Sequence, residues 1–359
     1  METSAVQKQI IETKEKKVVV DSAAASGKTH VLTERIRYLL DQGVNPSEIV
    51  AITFTNNAAS VMYERLGRPV GLFIGTVHSY CNYLLRSAGI DTSHLLNDEK
   101  FDELFPLIEK HPECIKHIGY LHVDEIQDST KPQFDFFKLL NPDSFMYLGD
   151  LRQNIFSFAG ADPDSLIEIM EQPDVVVYRM KQNHRNLPEI LRFAKKFLYD
   201  LGPDYNDDSI PMRKTFGPPR TNVYEAEIGP STAADLLVKL TKERNLNWKD
   251  WFVLCRTNDD VALMANLLEK RGAKTDTFKQ SELTNQEIQD RLEENTIKVL
   301  TAHSAKGLEN NCVLVFNVRA YNPSEKRLCY VAATRARDLL IWARMPKKKK
   351  SGKGIVNWE

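Results

Sequence analysis

The sequence predicts an α/β protein with two doubly wound parallel-sheet units. Short apolar or β-branched runs alternate with amphipathic helical stretches along most of the 359 residues, a pattern typical of parallel sheets covered by helices on both faces. The length also fits two domains of about 150 residues each. The predicted strands are Lys17–Val20, Ile49–Thr55, Gly71–Thr76, Tyr120–Val123, Phe145–Leu148, Val175–Tyr178, Trp251–Cys255, Ile297–Thr301, Cys312–Phe316 and Leu339–Trp342.

The first domain is predicted to end near Gln172. Pro173 interrupts the helical pattern of Asp164–Glu171, and a new strand follows it, as expected where a proline ends a helix. We therefore expect one domain over residues 1–172 and a second over residues 173–345.

Three stretches differ from the alternating core pattern. Residues 86–116, approximately, are helical and charged without a strand pattern, which predicts a small helical insertion in the first domain. Leu201–Pro230 is rich in Pro, Gly, Asn and Asp and is predicted to be an irregular connection. Residues 346–359 form a basic tail, typical of a solvated terminus, with phosphate attraction or a nuclear address as the alternatives.

Composition excludes several classes of protein. Hydrophobic residues make up 42% and charged residues 27% of the chain, and 48 basic against 49 acidic residues give a net charge of −1. A polyanion would therefore need a local binding site. No apolar run reaches the roughly 18 residues of a membrane span, and five scattered cysteines indicate a reducing compartment. We expect a soluble, cytoplasmic protein without a membrane partner.

A phosphate-binding loop is indicated between the first strand and the first long helical stretch. Ser26, Gly27, Lys28 and Thr29 stand at the end of this loop, in the strand, loop and helix order of a nucleotide site. Backbone N–H groups would hold phosphate oxygens, Lys28 would neutralise them, and the Thr29 hydroxyl would ligate Mg²⁺. Ser22 stands where the usual pattern has its first glycine, and a left-handed conformation there would cost about 1–2 kcal/mol.

A second motif ends the fourth predicted strand with two adjacent acids. Asp124 and Glu125 follow the apolar run Leu121-His-Val. Asp124 would reach the Mg²⁺ shell and Glu125 would activate an attacking water, as in P-loop ATPases. A solvated acidic turn is the alternative, and the phosphate loop upstream favours the catalytic interpretation.

Taken together, the motifs resemble those of superfamily 1 helicases of the UvrD/Rep/PcrA type. The resemblance covers the chain from Gln7 to Arg337, and it implies two RecA-like domains with ATP and Mg²⁺ in the cleft between them. Its ordered elements are the phosphate loop, Ile52–Ser60, Gly75–His78, Val123–Asp128, Leu148–Ala161, Gln182–Arg185, Thr301–Glu309 and Tyr330–Arg337.

For the nucleotide, the resemblance implies roles for five further residues. Gln7 would read the adenine edge through its amide, and Gln153 would sense the γ-phosphate. Arg185 and Arg335 would be cationic clamps that the second domain brings to that phosphate, a task suited to the permanently charged arginine fork. Glu309 would lie near the ribose or the catalytic water.

For single-stranded nucleic acid, the resemblance implies contacts from both domains. Aromatic and polar residues of the first domain would pocket or stack bases, each stacked base being worth about 1–3 kcal/mol, and residues of the second domain would hold the backbone. For Phe54, a core position at the end of its strand is an equal alternative. The implied residues are Phe54, Asn56, His78, Phe156 and Phe158 in the first domain, and Arg256, Asn258 and His303 in the second.

The chain also departs from the family pattern. His184 stands where the family usually has Tyr and His30 where it has Arg, so adenine binding is expected to be weaker or less selective. Beside the stacking aromatic, Ala159 replaces an arginine, and Phe158 stands where Trp is usual. The large helical insertions usual in the family are reduced to short segments, which makes strand separation less secure than translocation.

The predicted function is an ATP-dependent single-stranded DNA translocase and 3′–5′ helicase, with single-stranded DNA or a tailed duplex as its partner. An ATP-switched nucleic-acid sensor or loading subunit of a larger complex is the alternative, favoured by the altered phosphate loop and the short insertions. ATP hydrolysis, and therefore the translocase and helicase, is favoured by the intact set of predicted catalytic residues Glu125, Gln153, Arg185 and Arg335.

Overall fold

A computed structural model describes residues 3–214 and 222–346. Residues 347–359 of the predicted basic tail and residues 215–221 of the predicted irregular connection lie outside the described residues. Within the described ranges, no helix combines the length and the apolar character needed to cross a membrane.

The chain forms two compact units, each with its own sheet. Short returns of the chain complete each unit, so neither is one uninterrupted segment. In the described ranges, the first unit contains residues 3–188, 194–214 and 322–330, and the second contains residues 189–193, 222–321 and 331–346.

The first unit is built on six parallel strands. In chain order they are β1 (Lys17–Ser22), β2 (Ile49–Ile52), β3 (Phe73–Gly75), β4 (Tyr120–Val123), β5 (Ser144–Gly149) and β6 (Val176–Met180). Their spatial order is β3-β2-β4-β5-β1-β6. Since the strands are parallel, their carboxyl ends and the loops that follow lie along one edge of the sheet.

Helices connect these strands. They are α1 (Ala5–Ile11), α2 (Lys28–Asp41), α3 (Asn56–Arg65), α4 (Val77–Ser87), α5 (Ser93–Asn97), α6 (Leu104–Lys110), α7 (Lys131–Leu139) and α8 (Pro163–Met170). The short helices α5 and α6, with 3₁₀ turns at Phe101–Glu103 and Pro112–Cys114, occupy the predicted insertion.

Hydrophobic side chains cover both faces of this sheet. Along β1, Val19 belongs to one buried cluster, while Val18 and Val20 belong to another. The first cluster includes residues of α4, α6 and α7, and the second includes residues of α1 and α2. This alternation follows from the opposite directions of successive strand side chains, and it explains why three consecutive residues, Val18 to Val20, are all apolar.

The second unit contains another sheet of six parallel strands. After the two-residue strands β7 (Gln182–Asn183) and β8 (Ile210–Pro211) of the first unit, its strands are β9 (Val223–Glu227), β10 (Trp251–Cys255), β11 (Thr275–Asp276), β12 (Ile297–Thr301), β13 (Asn310–Phe316) and β14 (Ala336–Arg344). Their order is β11-β12-β10-β13-β14-β9. The remaining helices are α9 (Pro188–Lys195), α10 (Pro230–Glu243), α11 (Asn258–Glu269), α12 (Asn285–Glu293) and α13 (Pro323–Ala333).

The two parallel sheets confirm the predicted α/β class, but two local predictions differ from the structure. The strand expected to open the second domain, β6, pairs with β1 in the first sheet. The predicted irregular connection contains β9, which pairs with β14. β9 lies at the edge of its sheet and contains only half-buried and exposed residues, so it lacks the apolar run that marks the central strands.

Gly149 ends β5 at a point of very close packing. A Cβ atom there would lie 2.7 Å from both Oε1 of Gln127 and Cγ2 of Ile126. We expect Gly149→Ala to destabilise the first unit by about 1–3 kcal/mol, the usual cost of overpacking, and to lower the midpoint of thermal unfolding. Gly229→Ala is the control, because a Cβ there meets nothing within 4 Å. Equal melting of both variants would contradict the close approach.

Candidate nucleotide and nucleic-acid sites

The predicted catalytic residues of the first unit lie in loops at the carboxyl ends of parallel strands. The phosphate loop follows β1, Asp124 and Glu125 follow β4, and Gln153 lies in a 3₁₀ turn after β5. Parallel pairing of β1 with β5 and of β5 with β4 therefore brings together side chains that are far apart in sequence, such as Thr29 and Asp124, which are 95 residues apart.

The phosphate loop places its strain differently from the expectation. Ser22 is the last residue of β1, and its hydroxyl donates to the carbonyl of Gly149 at 2.9 Å, so no left-handed conformation is needed there. Ala25 instead has φ of 57°, and Gly27 has φ of 90°. For Ala25 this conformation costs about 1–2 kcal/mol, so the strain lies at an alanine in the middle of the loop.

Two pairs of side chains join the phosphate loop to the acidic motif. Lys28 Nζ lies 3.6 Å from Glu125 Oε1, and the Thr29 hydroxyl donates to Asp124 Oδ2 at 3.3 Å. Burial, reinforced by the charge of Glu125, raises the pKa of Asp124 to about 6, while Lys28 acts in the opposite direction. The structure thus brings the predicted cation, Lys28, and the predicted Thr29 hydroxyl next to the two predicted carboxylates.

This arrangement fits a nucleotide phosphate group with Mg²⁺. Thr29 and Asp124 offer the hard oxygen ligands that Mg²⁺ prefers alongside phosphate oxygens. The Ser26 hydroxyl is buried and has no hydrogen-bond partner among the described residues. Gly27 is the N-cap of the 14-residue helix α2, whose N-terminus favours an anion. A bound phosphate would provide the partner that this hydroxyl lacks.

Gln127 is a residue of this site that the sequence analysis did not assign. Its side chain is completely buried. Its Nε2 donates to Glu125 Oε2 at 2.6 Å, and its Oε1 accepts from the backbone N–H of Asp150 at 3.0 Å. Gln127 thus fixes the carboxylate of Glu125 to the loop after β5. An amide two residues beyond the acid pair was the only available signal, and it did not indicate these partners.

The loop after β5 is held by a buried ionic network. Gln153 Nε2 donates to Asp150 Oδ2 at 2.6 Å. Arg152 forms ion pairs with Asp150 and with Asp21 of β1. Burial opposes the charge of Arg152, but Asp150 and Asp21 outweigh it and raise the Arg152 pKa. Gln153 is therefore held by Asp150, which is itself fixed by its ion pair with Arg152.

Gln7 lies against the phosphate loop. Its Nε2 donates to the carbonyl of Ser26 at 3.0 Å, and its Oε1 accepts from the backbone N–H of Ser4 at 2.8 Å. Both ends of the amide are therefore bonded within the protein, and its role toward adenine stays a prediction. His30 is exposed in the first turn of α2.

The segment after β6 also packs on the phosphate loop. The backbone N–H of His184 donates to the carbonyl of Ala25 at 3.2 Å, and Asn183 Nδ2 donates to the carbonyl of Ala24 at 3.0 Å. Arg185 follows directly, and its N–H donates to Asn183 Oδ1 at 3.1 Å. The expectation that the second domain supplies Arg185 is wrong, because this segment belongs to the first unit.

Three phenylalanines form an exposed aromatic group on the first unit. The rings of Phe54 and Phe156 stack with centroids 5.4 Å apart, and Phe158 meets Phe156 edge-on at 6.0 Å. Phe54 is 47% and Phe158 is 74% exposed. The alternative core position for Phe54 is therefore excluded, and the group offers apolar rings to a ligand.

The other nucleic-acid candidates of the first unit lie at helix starts. Asn56 is the exposed first residue of α3. His78, in the first turn of α4, lies 3.2 Å from Asp102 Oδ1 and packs against the rings of Phe101 and Phe105. The predicted insertion thus contacts His78 directly.

In the second unit, Arg256, Asn258 and His303 share the carboxyl edge of the sheet. Arg256 follows β10, Asn258 begins α11, and His303 follows β12. The backbone N–H of Ala302 donates to the carbonyl of Cys255 at 2.8 Å, which joins the two loops. Burial, with the charge of Arg256, lowers the pKa of His303 to about 4, so its imidazole is neutral near pH 7.

Arg335 and Glu309 lie at the opposite, amino edge of that sheet. Arg335 precedes β14, and Glu309 precedes β13. The guanidinium of Arg335 is buried and donates to the carbonyls of Val331 and Leu308 at 3.0 and 3.2 Å, while Glu309 pairs with Arg337 at 3.3 Å. The second sheet therefore separates its predicted nucleotide residues from its predicted strand-binding residues.

The parallel sheets, the phosphate loop and the acid pair define a P-loop protein with RecA-like domains. Comparison with protein families agrees with this class. A model of the UvrD/REP helicase N-terminal domain matches residues 3–111 and 109–174, and a model of the UvrD-like helicase C-terminal domain matches residues 273–345. The chain belongs to the superfamily 1 helicases of the UvrD/Rep/PcrA type.

Individual relatives agree with the family. The ATP-dependent DNA helicase PcrA of Staphylococcus aureus (strain Mu50) is 26% identical over 347 residues, which cover 70% of this chain and 47% of the relative. PcrA of Staphylococcus epidermidis (strain RP62A) is 26% identical over 350 residues, with the same two coverages. The chain therefore spans about half the length of the curated relatives it matches.

Because Arg256 lies near His303, we expect its charge to affect the pKa of the His303 imidazole. The ordinary histidine pKa is 6.5, and loss of the Arg256 charge should raise the pKa of His303 above about 4, while burial keeps it below 6.5. An NMR titration of the imidazole in Arg256→Gln and in the unchanged protein measures this shift.

The same depressed pKa sets a pH dependence of stability. Between pH 6.5 and about 4 the unfolded chain takes up a proton at His303 that the native state does not, so stability should fall as the pH falls through this window. An identical His303 titration in Arg256→Gln and in the unchanged protein would show that Arg256 and His303 are not electrostatic neighbours.

Proposed function

We propose that this protein is an ATP-dependent single-stranded DNA translocase and a 3′–5′ DNA helicase. One observation carries the proposal. A single loop after β5 holds Gln153 within the hydrogen-bond network of Glu125 and, three to five residues later, holds Phe156 and Phe158 in the exposed aromatic group. A change at the γ-phosphate could thus reach the strand-binding rings through a few covalent bonds.

The residues divide the chemistry among them. Lys28 would neutralise the phosphates, and Thr29 with Asp124 would hold Mg²⁺, which supplies charge neutralisation at the phosphate oxygens. Glu125 would accept the proton of the attacking water while the Gln127 amide fixes its orientation. Arg185 from the first unit and Arg335 from the second would stabilise negative charge on the transferring phosphoryl group.

Nucleic-acid binding would use both units. The exposed rings of Phe54, Phe156 and Phe158 would stack on bases, while Arg256 would hold backbone phosphates. The neutral imidazole of His303 would act as a hydrogen-bonding group rather than as a cation. A local site of this kind is compatible with the net charge of −1 and makes binding dependent on salt.

One pair of assays tests the proposal. ATP hydrolysis is measured with and without single-stranded DNA, and strand displacement is compared on duplexes with a 3′ or a 5′ tail. We expect hydrolysis to rise severalfold with DNA and displacement to require the 3′ tail. Hydrolysis that does not respond to DNA would overturn the proposal.

A second candidate function is an ATP-switched sensor or loading subunit. It is supported by the strained, alanine-containing phosphate loop and by the short insertion of α5 and α6. The same assays separate the candidates, because a switch would bind ATP and DNA yet displace no strand from either substrate.

The role of Glu125 can be tested directly. Glu125→Gln keeps the size of the side chain but removes its capacity to accept a proton, so ATP turnover should fall about 10²- to 10⁴-fold. Strand affinity, measured by fluorescence anisotropy, should remain nearly unchanged. Glu113→Gln, at an exposed glutamate of the same unit paired with His111, is the control and should retain turnover. Near-normal hydrolysis in Glu125→Gln would refute the assignment.

Phe158 should contribute to strand binding and coupling. Phe158→Ala removes a ring that is mostly exposed, so loss of one stacked base at about 1–3 kcal/mol should weaken DNA binding roughly 5- to 150-fold. More ATP should then be hydrolysed per nucleotide travelled. Phe158→Tyr retains the ring and should restore both properties. If alanine and tyrosine variants behave alike, Phe158 does not stack on a base.

A further inference from the structure

We propose that Arg319 and Tyr321 form an additional contact for single-stranded nucleic acid on the second unit. The guanidinium would bind a backbone phosphate and the phenol ring would stack on a base. The inference rests on the proposed function, because it concerns the same ligand, but neither residue belongs to the motifs that suggested that function.

The position of the two residues is the first argument. β10 lies between β12 and β13, and Cys255 is aligned with Thr301 on one side and with Phe316 on the other. Neighbouring strands are about 5 Å apart. The loop that carries Arg319 and Tyr321 after β13 therefore adjoins the loop of Arg256, on the side opposite to the loop of His303.

A chain of side-chain contacts fixes this loop to the start of α11. Asp260, in the first turn of α11, accepts hydrogen bonds from the Thr257 hydroxyl at 3.1 Å and from Asn317 Nδ2 at 3.5 Å. Asn317 Oδ1 in turn accepts from Arg319 Nε at 3.3 Å. Since Asn258 begins the same helix, Arg319 is held next to a predicted strand-binding position.

The charge of Arg319 is the second argument. Its side chain donates to two neutral partners: Nε donates to Asn317, and Nη1 donates to the Tyr321 hydroxyl at 2.5 Å. No carboxylate forms an ion pair with it among the described residues. By contrast, ion pairs with an acid are formed by other arginines of the second unit, among them Arg271, Arg291, Arg337 and Arg344. Arg319 therefore keeps its charge and several donors for a phosphate.

Tyr321 adds an aromatic surface to this cation. The Arg319 guanidinium lies over the Tyr321 ring, 5.9 Å from its centroid. Tyr321 is 72% exposed. A large exposed ring beside an arginine matches the pairing of stacking platforms and cations that binds single strands without sequence preference. The phenol hydroxyl also fixes the guanidinium, so the two groups act as one site.

The test uses a fluorescent oligodeoxythymidylate and anisotropy at several salt concentrations. Arg319→Gln should weaken binding and reduce the slope of log affinity against log salt by about 0.7, the value for one phosphate of a single strand. Tyr321→Ala should weaken binding about fivefold or more, whereas Tyr321→Phe, which keeps the ring, should retain most of the affinity.

Matched controls separate this contact from general effects. Arg271→Gln removes an arginine that is neutralised by Asp235 and should leave the salt slope unchanged. Tyr199→Ala removes an equally exposed ring of the first unit and should leave affinity unchanged. Thermal unfolding of each variant verifies folding, and Arg319→Lys provides a milder change that retains the charge and should retain most of the salt slope.

The outcomes are distinct. If the unchanged protein binds the oligonucleotide and the Arg319 and Tyr321 variants bind it equally well, with the same salt slope, this inference fails and the proposed function stands. If Arg271→Gln lowers the slope as much as Arg319→Gln, the effect is general electrostatics and the inference also fails. If the unchanged protein does not bind the oligonucleotide at all, the proposed function fails together with the inference.

Discussion

The site of the first unit depends on one buried amide. Gln127 joins the carboxylate of Glu125 to the backbone of Asp150, and it can do so only because Gly149 presents no side chain at that point. A buried amide with both ends satisfied is rigid, and loss of either partner would leave a polar group unpaired at a cost of about 1–3 kcal/mol. The orientation of the Glu125 carboxylate thus depends on packing at the end of β5.

The charges around the β5 loop extend this constraint. Arg152 is held between Asp150 and Asp21, so the loop is tied to β1 as well as to β4. Buried polar contacts that are satisfied in this way make a loop rigid. The same loop holds Gln153 in the 3₁₀ turn Leu151–Gln153 and carries Phe156 and Phe158 at the next 3₁₀ turn, Ser157–Ala159.

The sequence predicted the larger features of the fold and missed those that depend on tertiary contacts. The central strands were predictable because burial on both faces requires continuous apolar runs, and Asp124 and Glu125 could be proposed as site residues because they end such a strand downstream of a phosphate loop. β9 has no comparable run, so it was not found. The placement of Arg185 depends on β6 pairing with β1, which local pattern does not specify, and the partners of Gln127 depend on the same sheet order.

The resemblance to known helicases supplied the candidate strand-binding residues, whereas the structure supplied their surroundings. Phe54 could be assigned to the surface only once its exposure was known. Arg319 and Tyr321 lie outside the quoted motifs and became visible only through the alignment of β13 with β10. The residue types along the chain therefore indicate which side chains can take part in binding or catalysis. The order of strands in the sheets determines which of these side chains lie next to one another.

The alanines of the phosphate loop have a thermodynamic consequence of their own. A glycine at position 25 would adopt the same backbone without penalty, but it would give the unfolded chain many more conformations to lose. Ala25 exchanges that entropic loss for local strain, and the carbonyls of Ala24 and Ala25 are already held by Asn183 and His184. The phosphate loop is thus preorganised in the absence of a nucleotide. The enthalpy of nucleotide binding should therefore contain little contribution from ordering of this loop.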